Sequence, residues 1–343
     1  MASTSTIPTR QFGKTNDKVG SIGFGAMGLA AFYGAPADQS TVDELLNECL
    51  KRGVTMIDTA DIYSPLSSGK LGYNEQQIGQ YLAKHPEQRK NMFLATKFVN
   101  TFTPEGLKQR GDREYAHSAC ADSLKRLGVD QIDLYYAHRP APDTDVTETV
   151  GAMKELKDQG KIKYIGVSEY NLDQLERSNK VAHIDAIQIE ISPWTPEVLT
   201  NGILAWCEKN GTAVVAYSPL GRGFLTGQYK SVDDFEEGDF RRNNPRFTGE
   251  NFEKNLELVR DIKSIADKKG ATPGQIALAW VLSKSPLIVP IPGTKKSKYL
   301  KENIDAANVK LSTEDIKEID GVINSFKVSG SRYPEAMAKV LAF

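Results

Sequence analysis

The sequence predicts an α/β chain folded as a (β/α)8 TIM barrel with an N-terminal β-hairpin, a long loop inserted late in the chain and extra helices at the C-terminal end. Three observations predict it. Eight short apolar runs rich in β-branched and aromatic residues alternate with helical patterns. Those runs are almost continuously hydrophobic, as strands covered on both faces must be. No G-x-G-x-x-G follows any of them, which weighs against an open dinucleotide-binding sheet.

Each element follows from its residues. The segment RQFGKTNDKVGS (10–21) holds an Asn/Asp turn between two short extended pieces, a hairpin placed to plug the bottom of the barrel. The strand runs are SIGFG (21–25), TMIDT (55–59), MFLATKF (92–98), IDLYYAH (132–138), YIGVS (164–168), AIQIE (186–190), AVVAYSP (213–219) and LIVPIP (287–292). Between them lie TVDELLNECLKRG, NEQQIGQYLAK, REYAHSACADSLKRLG, VTETVGAMKELKDQG, LDQLERSNK, PEVLTNGILAWCEKNG and FEKNLELVRDIKSIADKKG. Several close on Lys or Arg followed by Gly, which suits the helix dipole and a left-handed cap. Three insertions interrupt the beat: the N-terminal hairpin, an extra C-terminal helix, and the Gly/Asn/Asp-rich stretch 223–252, too long for a connector and therefore a candidate lid. After the last strand, STEDIKEIDGVINSF reads as an extra helix opened by a capping box, and PEAMAKVLAF closes the chain. Residues 1–8 are Ser/Thr-rich and expected to be disordered, with residues 9–343 forming one domain.

Composition narrows the partners. Of 343 residues, 43 are Lys or Arg and 44 Asp or Glu, a net charge of -1, so no basic face is available for nucleic acid or an anionic membrane. No apolar run approaches the roughly 20 residues of a bilayer span, and MASTSTIPTR lacks a secretory layout. Cys49, Cys120 and Cys207 are far apart, which suggests neither disulfides nor a metal site. A cytoplasmic monomer acting on a small molecule is the expectation.

In such a barrel chemistry gathers at the C-terminal ends of different strands. Asp58, Lys97 and His138 stand at three successive strand ends, with Tyr63 in the loop after the first. A Lys ammonium beside a phenol favours the phenolate and is expected to lower its pKa. Asp58 would keep Lys97 charged, and His138 would hold a substrate carbonyl for protonation by Tyr63. Such a set donates a proton but no electrons, so a hydride donor must bind. Ser168 and Gln188 could hold a carboxamide, and Tyr217 offers a face for a flat nicotinamide. The loop Ser218, Pro219, Leu220, Gly221, Arg222 and Gly223 suits a pyrophosphate, while Thr294, Lys295, Lys296 and Lys298 at a helix start form a phosphate cradle. Met27, Phe32, Tyr33, Phe98 and Trp194 are candidate walls of the substrate pocket, alongside His138. Residues 224–255, with Arg246 and Phe247, are expected to fold over the cofactor.

The segments FGAMGL, IDTADIY, ATKF, DLYYAHRP, GKIKYIGVSEYN, IQIEISPW, AYSPLGRGFLTG and PGTKKSKYLKEN occur in order over roughly residues 9–325. Together they resemble the aldo-keto reductase superfamily, and within it the microbial and plant branch of aldehyde and pyridoxal reductases. The resemblance implies NADPH or NADP+ as cofactor and carbonyl reduction as activity. It makes Asp58, Tyr63, Lys97 and His138 a catalytic tetrad. Ser168 and Gln188 would bind the carboxamide, Tyr217 would stack on the nicotinamide, and Thr294, Lys295, Glu302 and Asn303 would hold the adenosine 2′-phosphate and adenine. Two positions depart from the commoner pattern: Glu169 follows Ser168 where many members have Asn, and Tyr299 stands where many have Arg. Two other readings remain open: a cofactor-binding regulatory subunit of the potassium-channel β type, and an aldolase with Lys97 as Schiff-base lysine.

Overall fold

The computed structural model describes residues 6–65, 68–103, 106–335 and 341–342. Eight parallel strands lie side by side: β3 (Phe24–Gly25), β4 (Met56–Asp58), β5 (Phe93–Phe98), β8 (Ile132–Ala137), β9 (Ile162–Ser168), β10 (Ala186–Glu190), β11 (Ala213–Tyr217) and β12 (Ile288–Pro290). The Gly23 and Gly25 N–H groups donate to the Pro290 and Pro292 carbonyls at 2.9 and 3.3 Å, joining the first strand to the last and closing the ring. Glycine permits this approach. A Cβ on Gly25 would stand 2.6 Å from the Ile291 carbonyl oxygen, and one on Gly293 2.4 Å from that of Gly25.

Side chains alternate along each strand. Met56, Phe93, Tyr164 and Val289 point into the barrel, whereas Leu94, Ile165, Ile187 and Val214 pack outward on the helices. The hairpin β1 (Thr9–Gln11) and β2 (Lys18–Gly20) pairs Thr9 with Gly20 and inserts Phe12 and Val19 into the interior cluster, with Phe12 4.7 Å from Phe93. It plugs the end where the strands begin. The helices are α1 (Gln39–Lys51), α2 (Tyr73–Lys84), α3 (Arg113–Leu127), α4 (Val146–Asp158), α5 (Leu172–Val181), α6 (Ile203–Asn210), α7 (Glu250–Lys269), α8 (Pro273–Lys284), α9 (Ser297–Asp305) and α10 (Thr313–Ser325). Asp38, Asp112, Asp145 and Asn171 cap α1, α3, α4 and α5 by accepting backbone N–H groups, and Ser312 with Asp315 forms the capping box of α10.

Several expectations are corrected. The helix read over 196–211 is split: a 3-10 turn (Glu197–Leu199) closes at Thr200, and Gly202 at φ +92° is the N-cap from which α6 starts. Helix α8 is additional, as is a second hairpin, β6 (Asn100–Thr103) with β7 (Gly106–Gln109). Disorder was expected over residues 1–8. Residues 1–5 lie outside the described residues, but Ile7 is buried and its N–H donates to the Arg52 carbonyl. Of PEAMAKVLAF, residues 336–340 and 343 lie outside the described residues.

The long insertion is compact. It runs through short 3-10 turns before α7, and Phe224, Phe235, Phe247 and Phe252 form one aromatic cluster with Trp194. Phe247 meets Trp194 edge to face at 5.3 Å and is buried. Phe247→Ala is therefore expected to lower stability by about 3–5 kcal/mol. A denaturant midpoint corresponding to less than about 1 kcal/mol would show that the insertion is not fastened there.

Candidate active site

The ends of β4, β5, β8, β9, β10 and β11 bring Asp58, Lys97, His138, Ser168, Gln188 and Tyr217 to one mouth. Lys97 is fully buried. Its Nζ donates to Asp58 Oδ1 at 2.5 Å, to the Thr59 carbonyl at 2.7 Å and to the Tyr63 hydroxyl at 3.1 Å. Gln188 Nε2 donates to the other Asp58 oxygen at 2.8 Å. The Tyr63 and His138 rings meet edge to face at 5.8 Å.

Burial pulls the Lys97 pKa down, but Asp58 and Tyr63 together hold it above the ordinary lysine value. Lys97 is thus an ammonium. Burial lifts the Asp58 carboxyl above its usual range despite Lys97. The lowering of the Tyr63 pKa expected from the sequence is overturned: desolvation raises it, and Lys97 only offsets part of that rise. Tyr63 is therefore a neutral phenol, carrying its proton, at neutral pH. His138 is held well below the ordinary histidine value by desolvation, then by Arg139 and Lys97, so it is neutral too.

Around this centre lie residues that the sequence did not single out. Arg139 Nη1 donates to Ser168 Oγ at 3.0 Å, and its guanidinium lies 6.0 Å from the Tyr217 ring centre. The Tyr217 hydroxyl donates to Glu169 at 2.8 Å. Arg332, from beyond α10, bonds Glu169 at 3.0 Å and Glu190 at 3.2 Å, and the Ala342 N–H reaches Glu169 at 3.0 Å. Burial would raise the Glu169 pKa, but Arg332 and Arg139 bring it below the usual carboxylate range. Glu169 thus serves a buried charge network, a use that its place after Ser168 does not reveal. Asn100, opening β6, bonds His138 Nδ1 at 3.1 Å.

The substrate candidates separate. Met27 and Phe32 pack with Ala31, Ala60, Ile62 and Tyr63, and Leu71 and Phe102 complete this apolar cluster. Tyr33 instead lies under the Arg241 guanidinium at 5.0 Å. Trp194 is buried between Phe224, Phe247 and Arg246, and so packs against the long insertion. Phe98 points outward, stacked on Tyr135 at 4.9 Å, and is not a pocket wall. Arg246 and Phe247, expected to reach across a cofactor, face the barrel: Arg246 donates to Thr195 Oγ1 at 2.8 Å.

Two places suit phosphate. In the loop after β11, Ser218, Gly221, Arg222 and Gly223 all have positive φ; the buried Arg222 guanidinium lies 3.8 Å from Glu190 and 4.4 Å from the Tyr333 ring centre, and among the described residues its terminal nitrogens have no hydrogen-bond partner. Pro219 and Leu220 complete that loop. A buried guanidinium with unused N–H donors beside such a backbone fits a pyrophosphate. At the second place α9 starts with no side-chain cap. Thr294 Oγ1 accepts the Lys296 N–H at 3.1 Å, Lys298 lies on the first turn, and Asn303 is buried on the same helix. Lys295 instead ties down the loop after β3, donating to the Tyr33 and Ala35 carbonyls at 2.5 and 2.9 Å. Glu302 accepts from Thr272 Oγ1 at 2.7 Å.

A ring of eight parallel strands thus carries the Lys97–Asp58–Tyr63 cluster at its C-terminal mouth. The sequence model of the Aldo/keto reductase family matches residues 21–324, and the chain belongs to that family. It is 45% identical to "Aldo-keto reductase yakc [NADP(+)]" of Schizosaccharomyces pombe over 96% of this chain and 95% of that protein. It is 44% identical to "Aldo-keto reductase str7" of Strobilurus tenacellus over 95% of each. The solved glycerol dehydrogenase AKR11B4 from Gluconobacter oxydans superposes with a TM-score of 0.82 at 26% identity, over 96% of this chain and 98% of that one. No helix among the described residues is long and apolar enough to cross a membrane.

Proposed function

We propose that the chain is an NADP-dependent oxidoreductase that reduces aldehydes, and with them ketones or pyridoxal, to alcohols, with Tyr63 as proton donor. The observation that carries this reading is the Lys97 ammonium 3.1 Å from a neutral Tyr63 hydroxyl and 2.5 Å from Asp58. When bound, the reduced nicotinamide supplies the hydride. Tyr63 gives its proton to the carbonyl oxygen, and Lys97 stabilises the phenolate that remains. Asp58 holds the ammonium in place and Gln188 holds Asp58, while neutral His138 offers a ring N–H to the carbonyl oxygen. Met27, Phe32, Leu71 and Phe102 supply an apolar wall beside Tyr63, which favours aliphatic or aromatic substrates over charged ones. An aldolase reading asks Lys97 for a free amine lone pair. That lysine is an ammonium with three oxygen acceptors. A panel of aldehydes and ketones, followed by the absorbance of NADPH, tests the reading, and absence of turnover with every carbonyl would sink it.

The residues at the two phosphate places fit NADPH: Arg222 and its loop for the pyrophosphate, the start of α9 with Thr294 and Lys298 for the adenosine 2′-phosphate. A charge-assisted bond contributes about 1.5–3 kcal/mol before solvent screening. Lys298→Ala is therefore expected to weaken NADPH binding by roughly tenfold while leaving NADH nearly unchanged, with the difference eroding in high salt. Equal losses for both cofactors would remove Lys298 from the phosphate site. Lys295→Ala is expected to act differently, by loosening the loop at Tyr33 and Ala35.

A further inference from the structure

The barrel strand β5 does not lead straight into its helix. Val99 breaks it at φ +101°, a conformation rare for a β-branched residue. The chain turns there into the hairpin β6–β7, whose first residue, Asn100, is buried with its side-chain amide nitrogen 3.1 Å from His138 Nδ1. The Tyr115 hydroxyl, from α3, donates to the Asn100 carbonyl at 2.9 Å and fixes its backbone. The His138 backbone is tied in turn, its N–H donating to the Phe98 carbonyl at 3.1 Å. Among the described residues, His138 Nε2 has no protein hydrogen-bond partner.

A neutral imidazole has one N–H and one acceptor nitrogen, and the bond made by one fixes the role of the other. We propose that Asn100 is a positioning residue that sets the tautomer of His138: its amide N–H donates to Nδ1, leaving the ring proton on Nε2 as the donor that the substrate carbonyl needs. This rests on the carbonyl-reduction reading for its purpose, but the tautomer itself does not. The hairpin thus has a chemical task besides placing Phe102 in the apolar cluster beside Tyr63.

The test is the two-bond proton–nitrogen correlation spectrum of protein labelled at histidine nitrogen, without cofactor. The chain has 4 histidines, and a His138→Gln variant identifies the signal. The expected wild-type pattern is a protonated Nε2 and an unprotonated Nδ1 at neutral pH. A protonated Nδ1 in the wild type overturns the proposal, whether or not any variant folds and whether or not Tyr63 proves to be the acid. Asn100→Asp replaces the donor by a carboxylate that can only accept, and is expected to move a proton onto Nδ1. The same variant is expected to lower kcat by at least about tenfold, with the Kd for NADPH unchanged. A variant that keeps the wild-type ring pattern, or that shifts the proton and keeps its kcat, also overturns it. If the tautomer is as stated but Tyr63→Phe remains active, the failure belongs to the proton-donor reading instead.

Discussion

Tyr63→Phe is expected to lower kcat for carbonyl reduction by about a hundred- to ten-thousandfold, the range for loss of a positioned general acid. The ring remains, so its packing on Ala31, Ala60 and Ile62 and its edge contact with His138 are kept. Only the hydroxyl is lost, and with it the transferable proton and one of the three oxygens around the Lys97 ammonium. Binding of NADPH, followed by quenching of protein fluorescence, should be nearly unaltered, which separates the loss from misfolding. A variant with near-native kcat would exclude Tyr63 as the acid.

Lys97→Met is expected to be as damaging to activity, and unlike the first change it should also reduce stability. It leaves the Asp58 carboxylate buried, with Gln188 as its remaining side-chain donor among the described residues. Removal of one partner from a buried pair costs about 3–5 kcal/mol. The pH dependence has a definite sign. Without Lys97 the folded-state pKa of Asp58, which burial already raises, must rise further above its unfolded value. A group with a raised folded pKa favours the folded state at low pH and loses that advantage as pH rises through the folded value. The stability gap to wild type should therefore narrow on going from about pH 8 to about pH 5. The double variant Asp58→Asn/Lys97→Met should recover much of the stability and none of the activity. Urea midpoints at both pH values check this, and a gap that stayed constant would mean that Asp58 is not the stranded charge.

The barrel was legible because buried parallel strands must be largely apolar on both faces, a demand that leaves runs such as AVVAY plain in the chain. The Asp58–Lys97–Tyr63 centre was legible for a related reason: strands that open onto one mouth bring their last residues together. Helix α8 was not, because IALAWV is apolar all round and shows no helical stripe. Its T-P-G-Q start, a capping box with Pro in the first turn, was the signal that could have revealed it. Phe98 was misread because alternation, not its place beside Lys97, decides which way it points. The direction of the Tyr63 shift depends on water exclusion, which no spacing records. Asn100 and Arg332 reach the site by tertiary routes, one through a hairpin and the other from a Ser/Gly-rich segment far along the chain.

The seam at Gly25 and Gly293 bears on the order in which the molecule can be built. Strand β3 leaves the ribosome early, yet the carbonyls that receive the Gly23 and Gly25 N–H groups belong to Pro290 and Pro292. Until that late segment has been synthesised, the growing sheet has two open edges, the state in which parallel sheets are slow to settle and prone to pair with other chains. A ribosome stalled shortly before residue 290 should therefore hold an unclosed, protease-sensitive sheet, and release of a few dozen further residues should convert it to a resistant ring.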